Sequence, residues 1–167
     1  MAVLCDFQLL RLCCDGMIEP FDRELINPAS IDLRVGNTFC SYHDTIGWLE
    51  PRLFDGYELA PGQTVLLDTL EYVRIPPAYM AEMWLKSSAG RLGFDLYKAG
   101  YIDPGFEGTL TFRLTNQVRK SLPIYPGQKL VQMVVREMAT QPLHPYKGHY
   151  VGQRGPTVAY AEFGDHP

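Results

Sequence analysis

The first periodic segment is helical, since Leu9, Leu10, Cys13 and Cys14 fall on one face at helical spacing, with Asp6 placed to cap the helix and Gly16 to end it. Beyond it the texture changes. Short β-rich runs follow, at Ile31 to Val35, Thr64 to Leu67, Glu71 to Ile75, Tyr79 to Leu85, Thr109 to Thr115 and Leu130 to Arg136. They are separated by Pro61-Gly62, Pro76-Pro77, Pro104-Gly105 and Pro126-Gly127, at a spacing that predicts a sandwich, barrel or jelly roll. The clearest strand is the one around Thr109 to Thr115. There Leu110, Phe112 and Leu114 alternate with Thr109, Thr111, Arg113 and Thr115, so one face is predicted to be core and the other polar.

Composition narrows the function classes. The 167 residues predict one domain over 1–167, with the Gly-, Tyr- and Pro-rich stretch at about 144–167 as a C-terminal arm. A net charge of -4 without a long Lys/Arg run argues against a nucleic-acid partner. Cys5, Cys13, Cys14 and Cys40 form no CxxC and pair with no His at ligand spacing, so reduced thiols in a cytoplasmic protein are expected, with no zinc site. No apolar run approaches the length of a membrane span, and no membrane partner is expected. His144, His149 and His166 lack ligand spacing and are expected at the surface; Trp48 is expected in a loop, and Trp48 and Trp84 as core or interface aromatics.

Four segments carry candidate chemistry. Lys86-Ser87-Ser88-Ala89-Gly90-Arg91 follows an apolar run and makes a helix N-terminus with two hydroxyls and a fixed cation, a donor set suited to phosphates, although taken alone it reads as ordinary capping with a solvated Arg. Ala99-Gly100-Tyr101-Ile102-Asp103-Pro104-Gly105-Phe106 places a carboxylate in a tight hairpin beside glycines, where it can orient or deprotonate water; an Asp-Pro-Gly turn is the plain alternative. Asn27 to Asn37 and Pro126 to Gln132 are bland alone.

In order and spacing these segments resemble the dCTP deaminases and their dUTPase relatives. Pro28 to Asn37 is similar to a PAS-β-branched-DLR-GN pattern, Lys86 to Gly93 to RSS…RLG with Lys86 in place of Arg, and Ile102 to Phe106 to an IDPG-aromatic hairpin. Pro126 to Gln132 resembles a PG…Q motif and Tyr150 to Thr157 a YxGQxGPT arm. The resemblance implies a mainly β, distorted jelly-roll or β-barrel subunit of the dUTPase-like (β-clip) type with a short N-terminal helix, assembled as a homotrimer with shared active sites. It implies a deoxyribonucleoside triphosphate substrate with Mg²⁺ carried on the triphosphate, Asp32 being a possible outer ligand. Ser87, Ser88 and Arg91, with Lys86 beside them, would hold phosphates. Gln132 and the arm residues Tyr150, Gln153 and Arg154 would complete the cage. Ala99, Gly100, Tyr101 and Ile102 would read the pyrimidine edge and shape the sugar pocket, and Asp103 would activate water.

One position departs from the pattern. Where the deaminases carry a proton-shuttling Glu, this chain reads Phe112-Arg113-Leu114-Thr115-Asn116. Arginine stays protonated and cannot act as a general base. The zinc route would need His-x-Glu with Pro-Cys-x-x-Cys, and neither occurs. The expected activity is therefore hydrolysis of a deoxypyrimidine triphosphate, dUTP to dUMP and pyrophosphate. Two alternatives stay open: dCTP deamination, to dUTP or on to dUMP, through a displaced carboxylate such as Glu107 or Glu82, and nucleotide binding without turnover. Arg113 is expected to donate to O4 of uracil or O2 of a pyrimidine, to pair with Glu107, or to face solvent. The residues after Tyr160 also depart from the usual arm.

Overall fold

Leu110, Phe112 and Leu114 are buried and Thr111, Arg113 and Thr115 on the opposite face are only half-buried, whereas Thr109, expected on that polar face, is buried where the register shifts between Thr109 and Thr111. The expected alternation is thus the packing of a real strand, set within a sheet that curls around one apolar core. The structure is a computed structural model that describes residues 2–43, 47–97 and 100–159.

Helix α1 (Asp6–Cys14) comes first, followed by β1 (Ile18–Glu19), a 3-10 turn (Arg23–Leu25) and β2 (Ile26–Asn27). Then come β3 (Ser30–His43), β4 (Gly47–Trp48), β5 (Arg52–Leu53), β6 (Tyr57–Leu59), β7 (Thr64–Arg74) and β8 (Tyr79–Leu85). After a short helix α2 (Ser87–Leu92) the chain ends with β9 (Phe94–Leu96), β10 (Tyr101–Ile102), β11 (Glu107–Asn116), β12 (Leu122–Ile124) and β13 (Lys129–Glu137). The main sheet runs β10-β8-β13-β3-β7-β11-β9, and β12 pairs with β6 apart from it. Strand β3 turns the corner. Its first half pairs with β13 and its second with β7, with a shift in register between Val35 and Phe39.

Three local expectations are corrected. The helix cap is Cys5, whose backbone is extended and whose N–H donates to Gln8 Oε1 at 3.1 Å; Asp6 is the first helical residue, where its charge faces the positive end of the helix dipole. Gly16, at φ 94°, does end the helix. The runs Thr64 to Leu67 and Glu71 to Ile75 belong to one strand, because the intervening Asp68 and Thr69 are buried and hydrogen-bonded. Thr69 Oγ1 donates to Glu71 O at 2.7 Å and accepts from Leu110 N at 2.9 Å. Trp48 lies in β4 rather than a loop, edge-on to Tyr42 with ring centroids 5.1 Å apart; Trp84, 48% exposed, keeps only the interface half of its expectation.

Buried polar groups fix the sheet's corners. Glu71, fully buried, accepts from the Arg34 amide at 2.8 Å and from Arg34 Nε at 2.6 Å. Asn116 donates to Leu59 O and Lys120 O and accepts from Val118 N, which closes the turn after β11. Asp68 accepts from Thr38 Oγ1 at 3.3 Å with no cation in the pair. Burial pushes its carboxyl from an ordinary 3.8 up to about 6, against hydrogen bonds from Thr109, Thr38 and backbone amides including that of Gly155.

This raised value has a definite sign. Between about pH 4 and 6 the folded chain holds a proton that the unfolded chain has lost, so stability falls as pH rises through that window and levels off above it. Thermal melts of wild type and Asp68→Asn are expected to coincide near pH 4 and to separate by pH 7, with the variant the more stable.

Candidate active site

Strand β8 runs straight into α2, and the site's cationic part forms at that junction. Lys86 is the helix cap by backbone geometry alone, Ser87 and Ser88 are the first two helical residues, and Gly93 at φ 112° ends the helix. Both serines and Arg91 are exposed. Lys86 Nζ forms an ion pair with Asp32 Oδ2, and Asn27 Nδ2 donates to Asp32 Oδ1 at 2.8 Å. Both oxygens of Asp32 are therefore engaged, and the side chain holds Lys86 at the head of α2. Gln132 sits opposite both Asp32 and Trp84 in register, and its Oε1 accepts from Ser30 Oγ at 3.1 Å. Lys86, Gln132, Ser87 and Ser88 thus lie around the shared end of β3, β8 and β13.

The hairpin forms a second part. β10 pairs with β8, placing Tyr101 opposite Glu82 and Ile102 opposite Ala81, and Met83 N donates to Gly100 O at 2.8 Å. Asp103, Pro104, Gly105 and Phe106 make the turn, with Phe106 N donating to Asp103 O and Gly105 at φ 87°. Ile102 is buried, Tyr101 is 61% exposed and Asp103 is half-buried. Among the described residues the Asp103 carboxylate has no ion-pair or side-chain hydrogen-bond partner. It lines a cavity of about 410 Å³ together with Gly100, Tyr101, Thr111, Tyr150, Gln153 and others. Ala99 lies outside the described residues, as do Tyr160 and His166.

Gly100 sets the fit between hairpin and β8. A Cβ there would lie 2.5 Å from Met83 O and 3.2 Å from Met83 N, both backbone atoms that cannot step aside. Gly100→Ala is expected to displace the hairpin and lower kcat/KM for chemistry at this cavity by about 10²-fold, the scale of a 1 Å misplacement; steady-state kinetics beside a thermal melt checks it.

The arm closes the cavity from above. Gly108 and Gln153 form a parallel bridge, Gln153 Nε2 donates to Thr109 O at 2.7 Å, Gly152 N to Glu107 O at 2.8 Å, and Thr157 N to Thr111 Oγ1 at 3.0 Å. The Gln153 amide is thereby engaged in fastening the arm. Arg154 stacks on Tyr72, with Cζ 4.6 Å from the ring centroid, and lines a different cavity beside Asp68. Within one chain, then, Arg154 does not meet Ser87 or Ser88. His144 and His149 are exposed.

Arg113 lies behind the hairpin cavity. Its Cζ is 3.8 Å from the Tyr97 ring centroid, and it lines a neighbouring cavity of about 210 Å³. Pairing with Glu107 is not what the structure shows. Six residues of extended strand separate the two by about 20 Å, and Glu107 sits opposite Arg74. Nor does the side chain lie in open solvent, since its Nε is fully buried. Glu82 forms an ion pair with Arg136 at 2.9 Å and lines a third cavity with Asp95.

The comparisons with known proteins fit this geometry. A family model described as dCTP deaminase-like matches residues 4–138. The chain belongs to the dCTP deaminase-like family. Among relatives of this family, "dCTP deaminase, dUMP-forming" of Persephonella marina is 37% identical over 156 residues, covering 86% of this chain and 87% of the relative. The solved dCTP deaminase of Agrobacterium tumefaciens superposes with a TM-score of 0.71 at 21% identity, over 81% of this chain and 48% of that one, so this chain spans about half its length. A native EIAV dUTPase superposes at 0.51 with 20% identity, over 80% and 93% of the two chains. These superpositions show that the curled β-sheet is shared with that deaminase and that dUTPase. Among the described residues no helix is long and apolar enough to cross a membrane.

Met83, Phe106, Thr111, Tyr146 and Thr157 also line the cavity. Of these, Thr111 had a signal in the sequence, since it shares the polar face of β11 with Arg113. Met83 and Tyr146 had none, because only the β8–β10 pairing and the return of the chain at Tyr146 bring them there.

Proposed function

We propose that the chain makes dUMP from a deoxypyrimidine nucleoside triphosphate, and that the step it performs is cleavage between the α and β phosphates, with dUTP as substrate. One observation carries the reading. Among the described residues, Asp103 is the one carboxylate lining the hairpin cavity, and the strand position behind that cavity holds Arg113. Asp103 takes the proton from water as it attacks phosphorus, because its oxygens are unpartnered and half-buried. Ser87, Ser88, Arg91 and Lys86 supply donors to the phosphate oxygens, Gln132 stands beside them, and Tyr101, Ile102 and Gly100 border the base and sugar.

Among the described residues no three His, Cys, Asp or Glu side chains converge as a metal cage, and the Asp32 oxygens are occupied. In this reading Ser87, Ser88, Arg91 and Lys86 hold the phosphates, and Mg²⁺ carried on the triphosphate would offset the charge that builds on the leaving pyrophosphate.

The active assembly in this reading is a homotrimer whose sites combine neighbouring copies. Its support is that the donors around α2 and the hairpin cavity share no lining residue in one chain, while Trp84 and Tyr101 stand 48% and 61% exposed.

A second reading starts from dCTP. The relatives' printed name, "dCTP deaminase, dUMP-forming", favours it over hydrolysis of dUTP alone. It requires a carboxylate to activate water at the base, and Glu82, once released from Arg136, or Asp95 would have to serve. Glu107 sits opposite Arg74 in register, and its backbone carbonyl accepts from the arm's Gly152 N–H.

Chromatography of products after incubation with dUTP and Mg²⁺ tests the proposal. It predicts dUMP and pyrophosphate in equal amounts. Tight nucleotide binding by calorimetry with no product would replace the proposal with a binding protein.

A further inference from the structure

The side chain of Arg113 has two features that together call for a ligand. Its Nε is buried without any hydrogen-bond partner among the described residues, an arrangement that native proteins rarely leave uncompensated. Its guanidinium carbon lies 3.8 Å from the centroid of the Tyr97 ring, a cation–π contact. Tyr97 is itself held to the strand, since its N–H donates to Arg113 O at 3.1 Å. The ring beside the cation is thus anchored through the backbone.

The surroundings of the cation say where its donors are used. The 210 Å³ cavity that Arg113 lines shares Met83, Thr111 and Thr157 with the 410 Å³ hairpin cavity. Thr111 and Arg113 are also neighbours on one face of β11, two residues apart. The cavity lined by Arg113 thus adjoins the hairpin cavity through these three residues and brings a group that has only donors beside it.

Resting on the dUMP-forming reading above, we infer that Arg113 selects the pyrimidine by its C4 substituent, accepting the carbonyl O4 of uracil and rejecting the amino group of cytosine. The physical reason is complementarity of donors and acceptors. Uracil presents an oxygen to the N–H edge, whereas cytosine presents N–H to N–H, which leaves the buried donor unpaired and places a partial positive charge against a fixed cation. In this role the residue that occupies the strand position in place of an acid is a specificity determinant, and it touches the base directly.

The test measures binding by calorimetry, with Mg²⁺, of the α,β-imido analogues of dUTP and dCTP to wild type, Arg113→Met and Arg113→Lys. Wild type is expected to bind the uracil analogue about 10- to 100-fold tighter than the cytosine analogue, the range for a hydrogen bond to a charged group. Arg113→Met should bring the two within about 3-fold of each other, mainly by loss on the uracil side, and Arg113→Lys should restore part of the preference. A wild-type ratio near one overturns the inference, as does an unchanged ratio in Arg113→Met. Should Arg113→Met fail to fold, the wild-type ratio and the Lys variant still decide. The two claims fail separately: dUMP from dUTP without base preference defeats only the selection by Arg113, whereas absence of both binding and dUMP defeats the functional reading beneath it.

Discussion

Asp103→Asn is expected to lower the rate of dUMP formation by about 10²- to 10⁴-fold, the range for loss of a positioned general base, while KM changes little. The asparagine keeps the size and polarity of the side chain, and the turn is held by backbone bonds, Phe106 N to Asp103 O and Gly105 N to Ile75 O, that the substitution does not touch. Thermal stability should therefore stay within about 0.5 kcal/mol of wild type. Steady-state kinetics and a melt on the same preparation check both halves. A variant with undiminished turnover would move the proton-accepting role elsewhere.

Glu71→Ala carries the largest expected effect on stability. Glu71 has 0% side-chain exposure and receives both the backbone N–H and the guanidinium of Arg34, whose side chain is only 23% exposed. Removing the carboxylate strands a largely buried cation and an amide, which costs about 3–5 kcal/mol. At about 2–4 °C per kcal/mol for a domain of this size, Tm should fall by on the order of 10 °C. The surface pair Arg74–Glu19, at 2.9 Å with both side chains well exposed, provides the control: Glu19→Ala should change stability by about 0–1 kcal/mol. Calorimetric melts of the two variants side by side would show the contrast. Equal effects would mean that Glu71 is not the fixed point of the β3–β7 corner.

The parts of the fold that were legible in the sequence are those where a single face decides the pattern. β8 matches its expected limits from Tyr79 to Leu85, and β11 and β13 exceed theirs by one or two residues at each end. Where polar side chains are buried with partners, the pattern misleads. Asp68 and Thr69 look like a break and are mid-strand in β7, because Thr38 and Leu110, distant in sequence, supply their hydrogen bonds. Strands of two or three residues, such as β5, β6 and β9, carry too few positions for any period to show.

The site was legible as types of residue and less so as an arrangement. Ser87, Ser88, Asp103 and Gly105 are marked by local chemistry: small hydroxylic residues opening a helix, and an Asp-Pro-Gly turn. The ion pair of Lys86 with Asp32 and the stacking of Arg154 on Tyr72 join residues 54 and 82 positions apart, and no local rule specifies them. Arg113 is the instructive case. Its identity removes a proton carrier by sequence alone, whereas its buried Nε and the Tyr97 stack, which give it a positive role, depend on β9 and β11 lying side by side.

The most direct measurement is the ammonia released from dCTP, set against the dUMP formed from dUTP by the same preparation under the same Mg²⁺. With a permanent cation where an acid would carry protons to the base and Asp103 free beside the cavity, the account predicts steady dUMP and pyrophosphate from dUTP and no ammonia from dCTP above the uncatalysed rate. One ammonia released for each dUMP formed from dCTP would contradict it.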